Sequence, residues 1–158
     1  MDFAEICEEK FDINRYLGLL CHPGCGGTSV FMGTSRCTSK ISDKTVKALD
    51  YTAYVPMAVK KLKDVCVNAR RTCAVGNIVV AHRVGYVPVG EPGLFVGVSA
   101  PHRQAAIQCM DLTITAIKAG VPVWKEEVYE DDTRAWTTNA ECFWLPKPPT
   151  HSTDLPQK

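Results

Sequence analysis

The sequence predicts a mixed helix–strand domain, of the α/β or α+β class. Three observations predict it. Runs with the period-two pattern of strands alternate with segments of helical period, in the order β-α-β-β-α-β-β-α-β-β. The 158 residues contain no internal repeat and no clear domain boundary, so they make one domain. Hydrophobic residues reach 46% against 22% charged, enough apolar material for a packed core.

The elements follow in order. Phe3 to Cys7 forms a short strand, and Asp12 is the N-cap of a helix running to about Leu20. Residues 23–27, Pro-Gly-Cys-Gly-Gly, are a loop. Thr28 to Met32 reads as a buried strand closed by Gly33, and Ser39 to Lys44 is polar and turn-like. Residues 47–54 alternate apolar and polar, which is strand periodicity. Pro56 suits the first turn of an amphipathic helix carrying Ala58, Leu62, Val65 and Ala69 on one face, with a solvated lysine run opposite. Ile78 to Val84 is strand-like, Pro88 to Pro92 a loop, and Gly93 to Ser99 another strand. A long helix runs from about Pro101 to Lys118, with Ser99 as its natural cap. Val121 to Tyr129 forms a strand, Asp131-Asp132-Thr133 a turn, and Trp136 begins a last short strand. The final residues, 145–158, are proline-rich and polar and are expected to be disordered.

Charge and cysteine usage narrow the function classes. A formal net charge of +1 provides no global attraction to nucleic acid or membranes, so any cationic site is local. No window reaches the roughly 18 apolar residues of a membrane span. The acidic start, MDFAEICEEKFD, lacks the basic and apolar regions of a signal peptide, so the eight cysteines are expected to be reduced thiols in the cytosol. The Cys21-His22-Pro23-Gly24-Cys25 run lacks a second ligand pair at zinc spacing, and no metal is expected.

The long helix carries the first functional signal. Ile107, Met110, Ile114 and Ile117 form an apolar stripe, with Arg103 near its centre and Lys118 about 60° off it, at its edge. Arg103 either snorkels or pairs with a carboxylate, or else joins His102 and the free N–H groups of the helix start in an anion site. Lys118 either serves the helix C-terminus as a dipole partner or belongs to a site, and Lys125 either pairs with Glu126 or Glu127 on the surface or belongs to that same site. Arg103 and Lys118 stand about 22 Å apart along the helix axis. One small ligand cannot touch both from one chain, so a shared site is composite, most simply across a symmetric dimer.

Five stretches carry a resemblance: FMGTSR (31–36), LDYTAYVPMA (49–58), AHRVGYVPVGEPGLFVGVSAPHRQAA (81–106), IKAGVPVWKEEVYE (117–130) and ECFW (141–144). Together and in this order they resemble the large, catalytic subunit of molybdopterin synthase, over about residues 3 to 144. The resemblance implies a single domain over 1–144 with an α/β hammerhead fold, an additional small antiparallel β subdomain and a homodimer at the core of a heterotetramer. It implies a sulfurtransferase. The partner is a small ubiquitin-like sulfur carrier ending in a Gly-Gly thiocarboxylate, and the substrate is cyclic pyranopterin monophosphate, converted to the dithiolene of molybdopterin. No cofactor is implied. The implied substrate-binding residues are Thr34, Ser35, Arg36, His102, Arg103, Lys118, Lys125, Glu126 and Glu127, with Lys118 and Lys125 catalytic. This sequence departs from relatives in Gly120 after the helix, in Cys37 directly after Arg36, and in its longer tail.

The chemistry suits those residues. An anionic phosphate and an anionic thiocarboxylate share one pocket only if fixed cations offset their repulsion, and the arginine fork matches phosphate oxygens. Lys118 is a base if burial and nearby cations lower its pKa, and otherwise an electrostatic stabiliser. A persulfide on Cys37 or Cys109 is the competing enzymatic route. A dimeric anion- or pterin-binding scaffold without chemistry is the non-enzymatic alternative.

Overall fold

The computed structural model describes residues 1–137, and the ECFW segment, Cys142 and the 145–158 tail lie outside them. Eleven elements alternate along these residues: β1 (Asp2–Cys7), α1 (Ile13–Leu20), β2 (Gly27–Thr34), β3 (Val46–Ala53), α2 (Val55–Thr72), β4 (Ile78–Arg83), β5 (Gly85–Pro88), β6 (Pro92–Ala100), α3 (Arg103–Gly120), β7 (Val123–Tyr129) and β8 (Arg134–Thr137). They build two four-stranded sheets, ordered β1-β4-β6-β2 and β5-β3-β7-β8. The first is antiparallel except for the β1–β4 pair. The second is wholly antiparallel and is the small β subdomain.

The larger sheet is covered on both faces, as the apolar runs of its central strands require. Alternation along β4 sends Ile78 and Val80 to one face and Val79 and Ala81 to the other. The first pair packs with Leu94, Val96 and Val98 against Leu62 and Cys66 of α2 and Cys109 and Ile117 of α3. The second packs with Phe95 against Tyr16 and Leu20 of α1. Asp12 caps α1 as expected, its carboxylate accepting the Arg15 N–H at 3.0 Å, and α2 has proline in its first turn.

Three expectations give way. The run predicted through Val84 stops at Arg83, and a separate strand, β5, follows in residues assigned to no element between that run and the loop expected from Pro88. Gly85 has φ +78°, a left-handed conformation that glycine adopts without penalty, and it turns the chain from the larger sheet into the smaller one. Ser99 does not cap α3. It is buried in β6, where its hydroxyl accepts the Asn77 N–H at 2.9 Å, and the helix starts at Arg103 with His102 at the cap. The buried face of α3 is Ala106, Cys109, Thr113 and Ile117, so Ile117 of the expected stripe is buried and Met110 and Ile114 pack partly buried at its edge, while Ile107 falls outside it. Ile107 is 52% exposed. The face is rotated by about 75° at 100° per residue because α3 lies close on β2 and β6, where small side chains fit. Arg103 therefore sits exposed beside the buried face and not in it.

The predicted turn and last strand are present. Asp132 takes φ +63°, the Asp131 carboxylate accepts the Thr133 N–H at 3.1 Å, and β8 pairs back on β7. Among the described residues seven cysteines are free thiols, with Cys66 and Cys109 in the core. Among the described residues no helix is long and apolar enough to cross a membrane.

Candidate active site

A cavity of about 480 Å³ opens where the two sheets meet at the C-terminal end of α3. One wall is a single face of the small sheet. Cross-strand register sets Tyr51 of β3 beside Lys125 of β7, and Leu49 beside Glu127, so all four side chains share that face. Thr137 of β8 lies opposite Lys125 and extends it. The other wall comes from the end of β2, from Phe31 to Thr34, with Leu94 of β6 and His82 of β4, and α3 contributes Lys118. The loop after β2 adds Arg36, Thr38 and Lys40.

Hydrogen bonds fix that loop over the cavity. Ser39 donates to Glu127 Oε2 at 2.5 Å, while the N–H groups of Ile41 and Ser42 donate to Ser39 Oγ at 3.0 and 3.1 Å. The Val46 N–H donates to the Cys37 carbonyl at 2.8 Å, closing the loop base, and Arg36 Nε donates to the Thr38 carbonyl at 3.3 Å. Tyr129 also donates to Glu127 Oε2, at 2.9 Å. Glu127 is only 6% exposed, and one of its oxygens is thus already engaged by the protein. The described lining holds four cations, Arg36, Lys40, Lys118 and Lys125, against this one carboxylate. Such a site stabilises anions.

Of the expected residues, Thr34, Arg36, Lys118, Lys125 and Glu127 are brought together. The others are not. Ser35 is 2% exposed and lies outside the lining, with its backbone paired to Glu91 and Gly90 and its hydroxyl without a partner among the described residues. Glu126 faces the opposite side of β7, as strand alternation requires, and pairs with Arg134 at 3.3 Å, which also binds Asp50 at 2.7 Å. His102 and Arg103 lie exposed at the far end of α3, a continuous helix of 18 residues. The arithmetic of the helix thus separates them from Lys118 within one chain.

Among the lining residues that escaped the sequence reading are Lys40, Tyr51 and His82. His82 is 8% exposed. Its Nδ1 lies 2.8 Å from the Arg83 carbonyl, which only accepts, so Nδ1 carries the proton and Nε2 is the acceptor. Burial, reinforced by the Lys125 charge, pushes its pKa down to about 4, so the ring is neutral. Tyr51 meets it edge-on, with centroids 5.0 Å apart at 76°, and burial pushes the phenol up to about 12. The polar His-Arg pair that closes the otherwise apolar run IVVAHR was the available signal for His82.

The cysteine route finds no nucleophile in the core. Cys109 is fully buried, and burial pushes its thiol up to about 12, the wrong direction for a thiolate. Cys37 is exposed and is not part of the cavity lining. In the Cys21–Cys25 loop, His22 Nδ1 accepts the Gly24 N–H at 3.0 Å, and the described residues contain no group of three or more His, Cys, Asp or Glu placed to hold a metal.

Known proteins resemble this chain in sequence and in fold. The profile of the MoaE protein family matches residues 6–120. The molybdopterin synthase catalytic subunit of Bos taurus is 38% identical over 143 residues, covering 90% of this chain and 75% of that protein. The crystal structure of molybdopterin synthase from Staphylococcus aureus superposes with a TM-score of 0.77 at 29% identity, covering 84% of this chain and 95% of that one. A chain from the complex of subunits 1 and 2 of the Helicobacter pylori molybdopterin-converting factor shares the fold, with a TM-score of 0.69 at 20% identity over 85% of this chain and 89% of its own length.

Proposed function

The chain belongs to the MoaE protein family, and from that premise we propose that it is the catalytic subunit of a molybdopterin synthase. It transfers sulfur from the C-terminal thiocarboxylate of a small ubiquitin-like carrier to cyclic pyranopterin monophosphate, forming the molybdopterin dithiolene. The observation that carries this reading is the convergence of Arg36, Lys118 and Lys125 from a loop, a helix and a strand onto one cavity. Arg36 and Lys40 hold phosphate oxygens. Lys118 and Lys125 stand where negative charge develops as sulfur arrives. Thr34 and Glu127 orient them, and Ser35 and Glu126 support the walls from behind. The sulfur arrives on the carrier, so the protein needs no cofactor. The reaction belongs to the cytosol, where thiols such as the seven described here stay reduced.

His102 and Arg103 serve the site of a second copy. Strand β2 is the outer strand of the larger sheet, with Val30 and Met32 exposed. Antiparallel pairing of two β2 strands over their full length about a two-fold axis sets Gly27 of one copy opposite Thr34 of the other. Gly27 abuts the first residue of α3, since a Cβ there would meet Arg103 N at 3.0 Å. Thr34 lines the cavity. Such a dimer therefore carries His102 and Arg103 of one copy to the cavity mouth of the other.

The test is reconstitution with a thiocarboxylated carrier and the cyclic pterin, followed by dithiolene formation. Wild type forms product, whereas binding without product leaves an anion-binding scaffold. Lys118→Arg reports on the base role: retained activity makes Lys118 an electrostatic stabiliser, and lost activity supports proton transfer. Mixing inactive Arg103→Ala with inactive Lys118→Ala tests the composite site. Random exchange restores about a quarter of wild-type sites, because each mixed dimer has one intact site. No recovery excludes sharing between copies.

A further inference from the structure

The loop between β2 and β3 has little apolar hold on the protein. Arg36, Cys37, Thr38, Lys40 and Ile41 are exposed, and Ser39 and Ser42 are half-buried. Hydrogen bonds therefore set its position over the cavity. Its two legs join at the base. The Val46 N–H donates to the Cys37 carbonyl at 2.8 Å, and Thr38 and Thr45 form an isolated antiparallel bridge. The second leg is also tied to the chain after β7. The Glu130 N–H donates to the Thr45 carbonyl at 3.0 Å, and Lys44 Nζ donates to Asp131 Oδ2 at 2.6 Å and to Thr133 Oγ1 at 2.8 Å. The tip, which carries Lys40 into the cavity lining, is tied to the small sheet by Ser39, which donates to Glu127 Oε2 at 2.5 Å.

That tie uses the Ser39 hydroxyl to its full capacity. A hydroxyl carries one proton and two lone pairs. The proton goes to Glu127, and the lone pairs accept the N–H groups of Ile41 at 3.0 Å and Ser42 at 3.1 Å. One side chain thus folds the tip into a turn and fastens that turn to the cavity wall, with Lys40 enclosed between Ser39 and Ile41. The acceptor is fixed in its turn. Glu127 is buried on β7, and Tyr129, two residues on and on the same side of the strand, is 3% exposed and donates to the same Oε2 at 2.9 Å. Tyr129 does not line the cavity. The contacts therefore run from a buried phenol, through a buried carboxylate and a loop hydroxyl, to the turn that carries a cavity-lining lysine.

We propose that Ser39 is a positioning residue for substrate binding: anchored on Glu127 and Tyr129, it holds Lys40 where the phosphate of the pterin binds, and so sets affinity for that phosphate and not the rate of sulfur transfer. The inference rests on the proposed sulfur transfer, but part of its test does not. In the reconstituted complex, Ser39→Ala raises KM for the pterin by about tenfold and leaves kcat within about threefold. Ser39→Thr keeps the hydroxyl and stays within about threefold of wild type in both. In a Lys40→Ala background, Ser39→Ala adds less than about twofold to KM, the non-additivity of residues that act as one unit. Independently of turnover, trypsin cleaves folded Ser39→Ala after Lys40 about tenfold faster than wild type, because the released tip opens more often, and Ser39→Thr is cleaved at close to the wild-type rate. Mass spectrometry of the fragments identifies the cleaved bond. The proposal is overturned if KM is unchanged in Ser39→Ala, if the loss falls on kcat, if Thr rescues no better than Ala, or if the KM effect persists in full without Lys40. If wild type itself transfers no sulfur, the proposed function falls. Cleavage after Lys40 and calorimetric binding of inorganic phosphate then decide the positioning role: faster cleavage with weaker phosphate binding in Ser39→Ala supports it, and no change in either one overturns it.

Discussion

The two sheets are of equal strand number and differ in almost everything else. The larger one is sandwiched between helices, and β4 and most of β6 are buried along their whole length. The smaller one turns one face, Leu49, Tyr51, Lys125 and Glu127, to a cavity and the other, Asp50 and Glu126, to solvent-exposed Arg134. The central strands β4 and β6 have little tolerance for change because nearly every side chain there is packed on all sides. The smaller sheet places charges that no core would tolerate. Stability and activity should therefore respond to different substitutions, and that division can be tested from either side.

The largest expected effect lies in the larger sheet. Phe95 is fully buried between Tyr16 and the β4–β6 surface, with ring centroids 5.0 Å apart. Phe95→Ala removes a ring from a packed layer and costs about 3–5 kcal/mol of stability. Urea unfolding measures it, and the folded fraction should keep near-normal turnover per molecule. A large loss of kcat in that folded fraction would break the division. Lys118→Ala is the converse. It should lower kcat by about 10²–10³-fold, the usual cost of removing a group that stabilises developing charge, with an unfolding midpoint close to wild type.

His82 stands on the boundary between the two sheets. Burial, with the Lys125 charge in support, holds its pKa at about 4 against an ordinary 6.5. As pH falls, the unfolded chain takes up the proton first. The stability contributed by the neutral ring is complete above pH 6.5, declines below it and is gone by about pH 4, a difference of about 3 kcal/mol. Glu91 and Asp131, both held low by cationic partners, also lose stability in acid, at lower pH. The measurement is therefore the difference between wild type and His82→Gln, by urea unfolding at pH 7.5, 6 and 4.5. Wild type should lose more than the variant over that range, and parallel curves would mean the ring is solvated and free to charge.

Much of the scaffold was legible in the sequence, because it depends on local signals. The Asp12 cap, Pro56 in a first turn and the turn at Asp131-Asp132-Thr133 each act within a few residues. The cavity lysines were legible through the resemblance, and their separation from Arg103 through helix geometry alone. Residues whose meaning comes from the meeting of two sheets were not. Tyr51 reads as one aromatic in an alternating run, and His82 as one of two polar residues closing an apolar strand. Only the register of β3 on β7 and the swing at Gly85 place them together. The centre of the buried face of α3 was misplaced for a related reason. Large residues drew the stripe through Ile107, while close approach to β2 selected the smaller Ala106, Cys109 and Thr113.

The smallest expected effect is the sharpest test of the small sheet's two faces. Glu126 and Glu127 are adjacent in sequence, and the resemblance assigns both to the substrate. Alternation along β7 separates them: Glu127 is buried against Ser39 and Tyr129 in the cavity wall, and Glu126 pairs outward with Arg134. An outward pair whose arginine is 47% exposed contributes well under about 1 kcal/mol. Glu126→Gln should therefore change kcat/KM by less than about twofold and leave the unfolding midpoint near wild type. Glu127→Gln should do more. One carboxylate oxygen accepts both the Ser39 and Tyr129 hydroxyls, and an amide oxygen in its place accepts them more weakly because the charge is gone, so the Ser39 loop is held less firmly and kcat/KM falls by about tenfold. Equal effects at the two positions would mean that Glu126 reaches the substrate when the carrier and the second copy are in place. Unequal effects in this direction make the inner face of β7 the working one.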